Sequence, residues 1–185
     1  MRPFSKQALE MKLSLEAGLA DVQEIVEWAD SVLAETKYDD DLANVCLVQN
    51  TSPENMLSLL NRLIDEKEEW FVARKIMIRM YEILLRNPER SRSFVRFLDQ
   101  FWVRHNYSVP EDMGFIAGID DEFSLAEQGI CGTVELAREF LINNLRRIKE
   151  DAEQKNETDR HGNFRAGWHS TVYPQKSGGR KLRPI

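Results

Sequence analysis

Apolar residues recur at helical spacing along most of the chain, and no segment alternates well enough to predict a strand. A first helix is expected over about 6–17, with Ser5 as its cap and Gly18 as its left-handed stop. Asp21 with Glu24 three residues on predicts a capping box. Val22, Ile25, Val26, Ala29, Val32 and Leu33 then form one apolar face, which Trp28 widens. Asp39, Asp40 and Asp41 open a short helix running to about Val48. Ser52-Pro53-Glu54 combines a capping hydroxyl, a proline whose missing N–H costs nothing and an acid facing the helix dipole. Asn87-Pro88-Glu89 repeats that device.

Residues 70–86 form the most apolar stretch, interrupted by one narrow stripe of Lys75, Arg79, Glu82 and Arg86. A helix apolar nearly all round is covered on several sides, so this segment is expected to be the central and most buried helix. The next, about 88–105, places Phe94, Phe97, Leu98, Phe101, Trp102 and His105 on one face. After an irregular stretch, Asp120-Asp121-Glu122 starts a short helix that stops near Gly129 and Gly132. Thr133 caps the last, whose seam of Val134, Ala137, Leu141, Leu145, Ile148 and Ala152 ends near 152. Segments 14–33 and 124–145 share one punctuation: a helix end, a glycine stop, a cap residue and a longer helix. The fold predicted is all-α, an irregular bundle of about seven to eight helices, with stacked hairpins as one arrangement and a mostly irregular C-terminal tail.

Composition agrees with one helical domain. The 185 residues are enough to bury a real core, and nine Gly and six Pro are too few for many short strands. Charge divides the chain. Residues 155–185 carry seven Lys/Arg against two acids, a net of +5, which leaves 18 basic and 29 acidic residues, or −11, in 1–154. The expectation is an acidic helical domain over 1–154 and a basic tail containing glycine and aromatics over 155–185, flexible or loosely docked. The N-terminus shows no secretory signal and no run long enough for a membrane span, so a cytoplasmic protein without membrane contact is expected. Cys46 and Cys131 lie among apolar neighbours and read as two buried, reduced, structural thiols.

Candidate chemistry is sparse. The acidic runs suit helix starts better than metal binding, since no Asp-x-Asp-x-Asp-Gly loop is present; no metal or cofactor is expected. Glu24/Glu27 and Glu135/Glu139 are solvated pairs, and His105 at the end of an aromatic face reads as packed or capping. Neither a nucleophile motif nor a phosphate or dinucleotide loop occurs, which disfavours an enzyme of a familiar type.

Arg90, Arg92, Arg96 and Arg104 make a basic stripe on the acidic body, which pairing with the surplus of neighbouring acids would take up unless a nucleic acid or an acidic partner uses it. In the tail, Arg160, Arg165, Arg180 and Lys181 accompany Trp168 and Tyr173. Arg92, Arg96, Arg104 and those tail residues are the candidate partner-binding set, with cations for phosphate or acidic groups and rings for stacking. The stretches Leu15-Glu16-Ala17-Gly18-Leu19 and Ile25-Val26-Glu27-Trp28-Ala29-Asp30 resemble the opening of small helical bacterial proteins. The likeness carries no catalytic motif and implies no residue's role.

The function expected is a non-enzymatic interaction protein whose acidic helical surface binds a basic protein partner, in its concrete form an immunity or antitoxin type. The alternatives are an RNA-associated protein using the tail and the arginine stripe, or an enzyme with an unfamiliar site.

Overall fold

The structure, a computed structural model, describes residues 2–48, 50–65 and 69–165, with side chains as far as Gln154. Among the described residues eight α-helices follow one another: α1 (Ser5–Glu16), α2 (Val22–Glu35), α3 (Asp40–Cys46), α4 (Pro53–Leu63), α5 (Glu69–Leu84), α6 (Ser91–Arg104), α7 (Ile119–Glu127) and α8 (Val134–Arg165). Short 3-10 segments, Pro88–Arg90 and Glu111–Ile116, precede α6 and α7. No strand occurs among the described residues, and no helix among them is long and apolar enough to cross a membrane. The chain forms two units, Met1–Asp151 and Ala152–Ile185.

Local chemistry sets most of the boundaries. Asp21 Oδ1 accepts from Glu24 N at 2.9 Å while Glu24 Oε2 accepts from Asp21 N at 2.8 Å, which closes the capping box of α2. Asp39 and Ser52 cap α3 and α4 through the backbone N–H groups of Leu42 and Asn55. Gly18 at φ +64° and Gly129 at φ +69° end α1 and α7 in the same way. At each stop the glycine N–H returns to the carbonyl three residues back (Leu15, Ala126), and the next N–H to the carbonyl five back (Ser14, Leu125). The shared punctuation of the two segments is therefore a pair of Schellman stops.

Two starts differ from expectation. Ser5 does not cap α1; it lies inside the first turn, buried, where its Oγ accepts from Asp65 N at 2.7 Å and ties α1 to the end of α4. Asn87 makes no capping hydrogen bond either: Pro88–Arg90 form a 3-10 turn, and the α-helix begins at Ser91, whose Oγ donates to Pro88 O at 2.6 Å. A third difference lies at the other end, where α8 runs unbroken to Arg165 and so extends through part of the segment expected to be irregular. Its charged residues are good helix formers and no glycine intervenes before Gly162.

The first unit holds two apolar clusters. The larger joins Leu9, Leu13 and Ala17 of α1 with α5, α6, the Glu111–Ile116 segment, α7 and the seam of α8. The smaller joins Phe4 and Ala8 with α2, α3 and α4. α1 thus contributes to both, and by position it is the central helix, the role expected of α5. Nor is α5 the most buried: six of its sixteen residues are buried, against six of fourteen in α6, and Phe71 and Leu85 near its ends are exposed. Its polar stripe fastens the neighbours. Lys75 Nζ lies 3.3 Å from Glu10, Arg79 donates to Ser14 Oγ at 3.0 Å, and Glu82 meets Lys149 at 3.1 Å. Arg74 grips Asp112 with two hydrogen bonds of 2.7 and 2.9 Å, and that hydrogen bonding, ahead of the opposing cost of burial, raises the guanidinium pKa.

Candidate partner-binding site

The arginine stripe expected on α6 is largely engaged within the molecule. Arg92 reaches α7, with Nη1 3.0 Å from Asp120 Oδ1, Nε 3.6 Å from Glu127 and Nη2 donating to Ser124 Oγ at 3.1 Å. Arg104 pairs with Glu16 of α1 at 2.9 Å. Arg90 donates to Gly18 O at 2.7 Å and covers the ring of Phe94. Arg96 is exposed and makes no hydrogen bond or ion pair among the described residues. Arg160 and Arg165 lie on the backbone of α8 beyond the described side chains; Trp168, Tyr173, Arg180 and Lys181 lie outside the described residues. Of the expected set, then, only Arg92, Arg96 and Arg104 can be placed by their side chains, and Arg96 alone of those three is unengaged among the described residues. Arg92 and Arg104 are fasteners of the fold.

The acidic runs are likewise occupied in part. Arg2 bridges Asp39 and Asp41 at 3.0 and 2.7 Å, while Asp39 also caps α3. His105 ends α6 packed against Trp70 and Phe101, with ring centroids 4.3 and 4.5 Å away. Its Nε2 sits 3.5 Å from Glu69 Oε1; both atoms are buried and neither has a hydrogen-bond partner among the described residues. Stacking on two rings leaves this imidazole facing protein on both sides, which suits packing better than proton transfer to a substrate.

The two cysteines part company. Cys46 is half-buried, its Sγ 3.4 Å from Leu42 O. Loss of solvent, and after it Asp30 as hydrogen-bond partner and negative charge, pushes its pKa up to about 11. Cys131 is exposed, contrary to expectation. The turn between Gly129 and Gly132, both at positive φ, holds it away from the core despite its apolar sequence neighbours.

Cys131 lines a groove of about 380 Å³ between α7 and α8. Ala126 and Ala137 form its buried floor; Leu125 and Leu136, 40% and 58% exposed, form its walls. Phe140, 40% exposed, stands one helical turn past Leu136, and Ile130 on the turn is also exposed. Apolar side chains this open, and gathered at one place, mark a surface suited to contact with another molecule. Asp121 and Glu122 line the same groove from α7. Neither makes an ion pair among the described residues, unlike Asp120 and Glu127 on the same helix, which Arg92 holds. Glu135 and Glu139, both exposed, precede Leu136 and Phe140 on α8. Asp99 of α6 feels this charge: burial first, then the carboxylates of Asp120 and Asp121, raises its pKa.

Sequence reading missed this groove. Its one signal was a second apolar stripe on α8, Leu136 and Phe140, which lies off the seam of Ala137, Leu141 and Leu145 and has no core partner to explain it. No protein-family model matches the chain, and comparison with curated proteins and with solved structures found no match.

Proposed function

We propose that this chain is a non-enzymatic interaction protein that uses the acidic α7–α8 face to bind a basic protein partner. The observation that carries this reading is the exposed apolar groove edged by Asp121 and Glu122, carboxylates that no cation of the described fold neutralises. Unpaired charge beside exposed apolar surface gives a partner both a long-range attraction and a contact to bury. The net −11 of residues 1–154 strengthens the attraction at a distance. In its most concrete form the partner is a nuclease whose basic, phosphate-binding surface this face covers, as an immunity protein or antitoxin would. The engagement of Arg92 and Arg104 with Asp120, Glu127 and Glu16 lends no support to an RNA-binding reading of the α6 stripe.

The test is affinity capture on immobilised full-length protein at low salt, followed by a salt gradient. The expected result is a retained basic protein that elutes as salt rises and is lost when Asp121 and Glu122 are both replaced by Lys. Retention of RNA in place of protein, or retention indifferent to those replacements, overturns the reading.

A further inference from the structure

The α7–α8 groove has a geometry that narrows the partner further. Resting on the acidic-face reading, we infer that its occupant is an amphipathic α-helix of the partner, apolar on one face and flanked by Lys or Arg. Leu136 and Phe140 are four residues apart on α8, so their side chains stand about 6 Å apart along the axis. A helix presents residues at i and i+4 with the same spacing, so its apolar face can pack against Leu136 and Phe140, both of which are exposed. Glu135 and Glu139 repeat that spacing beside the apolar pair, while Asp121 and Glu122 stand on the α7 side. A helix laid in the groove would therefore meet carboxylates along both flanks.

Other occupants fit less well. An added strand needs unpaired backbone groups to bond, and α7 and α8 satisfy theirs internally. A polyproline segment needs a groove walled by aromatic rings, whereas these walls are Leu125 and Leu136 over a floor of Ala126 and Ala137. A second copy of the chain would bring Asp121, Glu122, Glu135 and Glu139 against their own equivalents, placing like charge on like charge.

The experiment uses the full-length protein and three fluorescein-labelled peptides built from Leu and a charged residue. One has Leu at i, i+3, i+4 and i+7 with Lys elsewhere; the second alternates the same Leu and Lys residues and so has no helical face; the third replaces Lys by Glu in the first pattern. Fluorescence anisotropy at low and raised salt measures binding, and maleimide labelling of Cys131 reports occupancy of the groove. The helical Leu/Lys peptide is expected to bind in a salt-dependent manner and to slow Cys131 labelling about tenfold at about ten times its Kd. Leu136→Glu and Phe140→Glu, each with its melting temperature checked, should abolish that protection, because both side chains are exposed and neither supports the core.

Equal binding and equal protection by the alternating peptide would overturn the helix inference while leaving the acidic-face reading in place. Binding of the Leu/Glu peptide as tight as its Lys counterpart, or binding of neither Lys peptide, would overturn both. Self-association of the protein that disappears in Leu136→Glu would assign the groove to a second copy and overturn the inference in a third way.

Discussion

Asp99 shows how the acidic face acts on a single residue. Half-buried beside Asp120 and Asp121, its carboxyl is held above its ordinary value of 3.8. A raised carboxyl binds its proton more tightly in the folded state than in the unfolded chain, so it lowers stability once pH exceeds that ordinary value. The loss is complete when pH has risen past the elevated one. Asp99→Asn should therefore raise the melting temperature at neutral pH and make no difference below 3.8, as paired thermal melts across that range would show. The cysteines give a second test at this scale. With Cys131 exposed and Cys46 half-buried at a pKa of about 11, native labelling at neutral pH should show one fast and one slow thiol. Cys131→Ser should remove the fast phase, and a single phase for both thiols would contradict the assignment.

Among the helices, the stops and starts separate local from tertiary causes. Gly18 and Gly129 occupy the same left-handed position in equivalent stops, but a methyl group added at Gly18 would lie 3.3 Å from Arg90 Nη2, whereas at Gly129 it meets nothing within 4 Å. Gly129→Ala should cost only the backbone strain, about 1–2 kcal/mol. Gly18→Ala should cost more, since Arg90 Nη2, which donates to Gly18 O, must also shift by a few tenths of an ångström. Chemical denaturation of the two variants compares them directly, and equal losses would show that Arg90 yields freely. Asp21, Asp39, Ser52 and Thr133 were legible as caps because the side chain and the N–H it binds lie three residues apart. Ser5 was not, because the N–H that claims its hydroxyl belongs to Asp65, sixty residues away.

Across the first unit, two apolar clusters share one helix. Leu9 and Leu13 of α1 belong to the larger cluster and Ala8 to the smaller, so neither can lose its packing without disturbing α1. The expected consequence is one cooperative unfolding transition. Trp28 reports on the smaller cluster, and Trp70 and Trp102 on the larger. With Trp168 replaced by Phe, denaturation followed by fluorescence in Trp28→Phe and in the double variant Trp70→Phe/Trp102→Phe should give the same midpoint, after correction for each variant's own stability by circular dichroism. Separate midpoints would mean that α1 does not couple the clusters.

The sequence by itself determined the helical class, the periodic faces that became the core, and most of the punctuation, because those signals act within a turn or two of chain. It also carried the charge asymmetry, which is a sum over residues and needs no fold. Only the tertiary structure decided which charges remain free. The sequence left the α6 arginines open to neighbouring acids or to a partner; Arg92 and Arg104 are each taken up by an acid on another helix, while Asp121 and Glu122 are left without a cation among the described residues. It also decided that Leu136, Phe140 and Cys131 face outward, since whether an apolar side chain is buried depends on which helix, if any, lies across it.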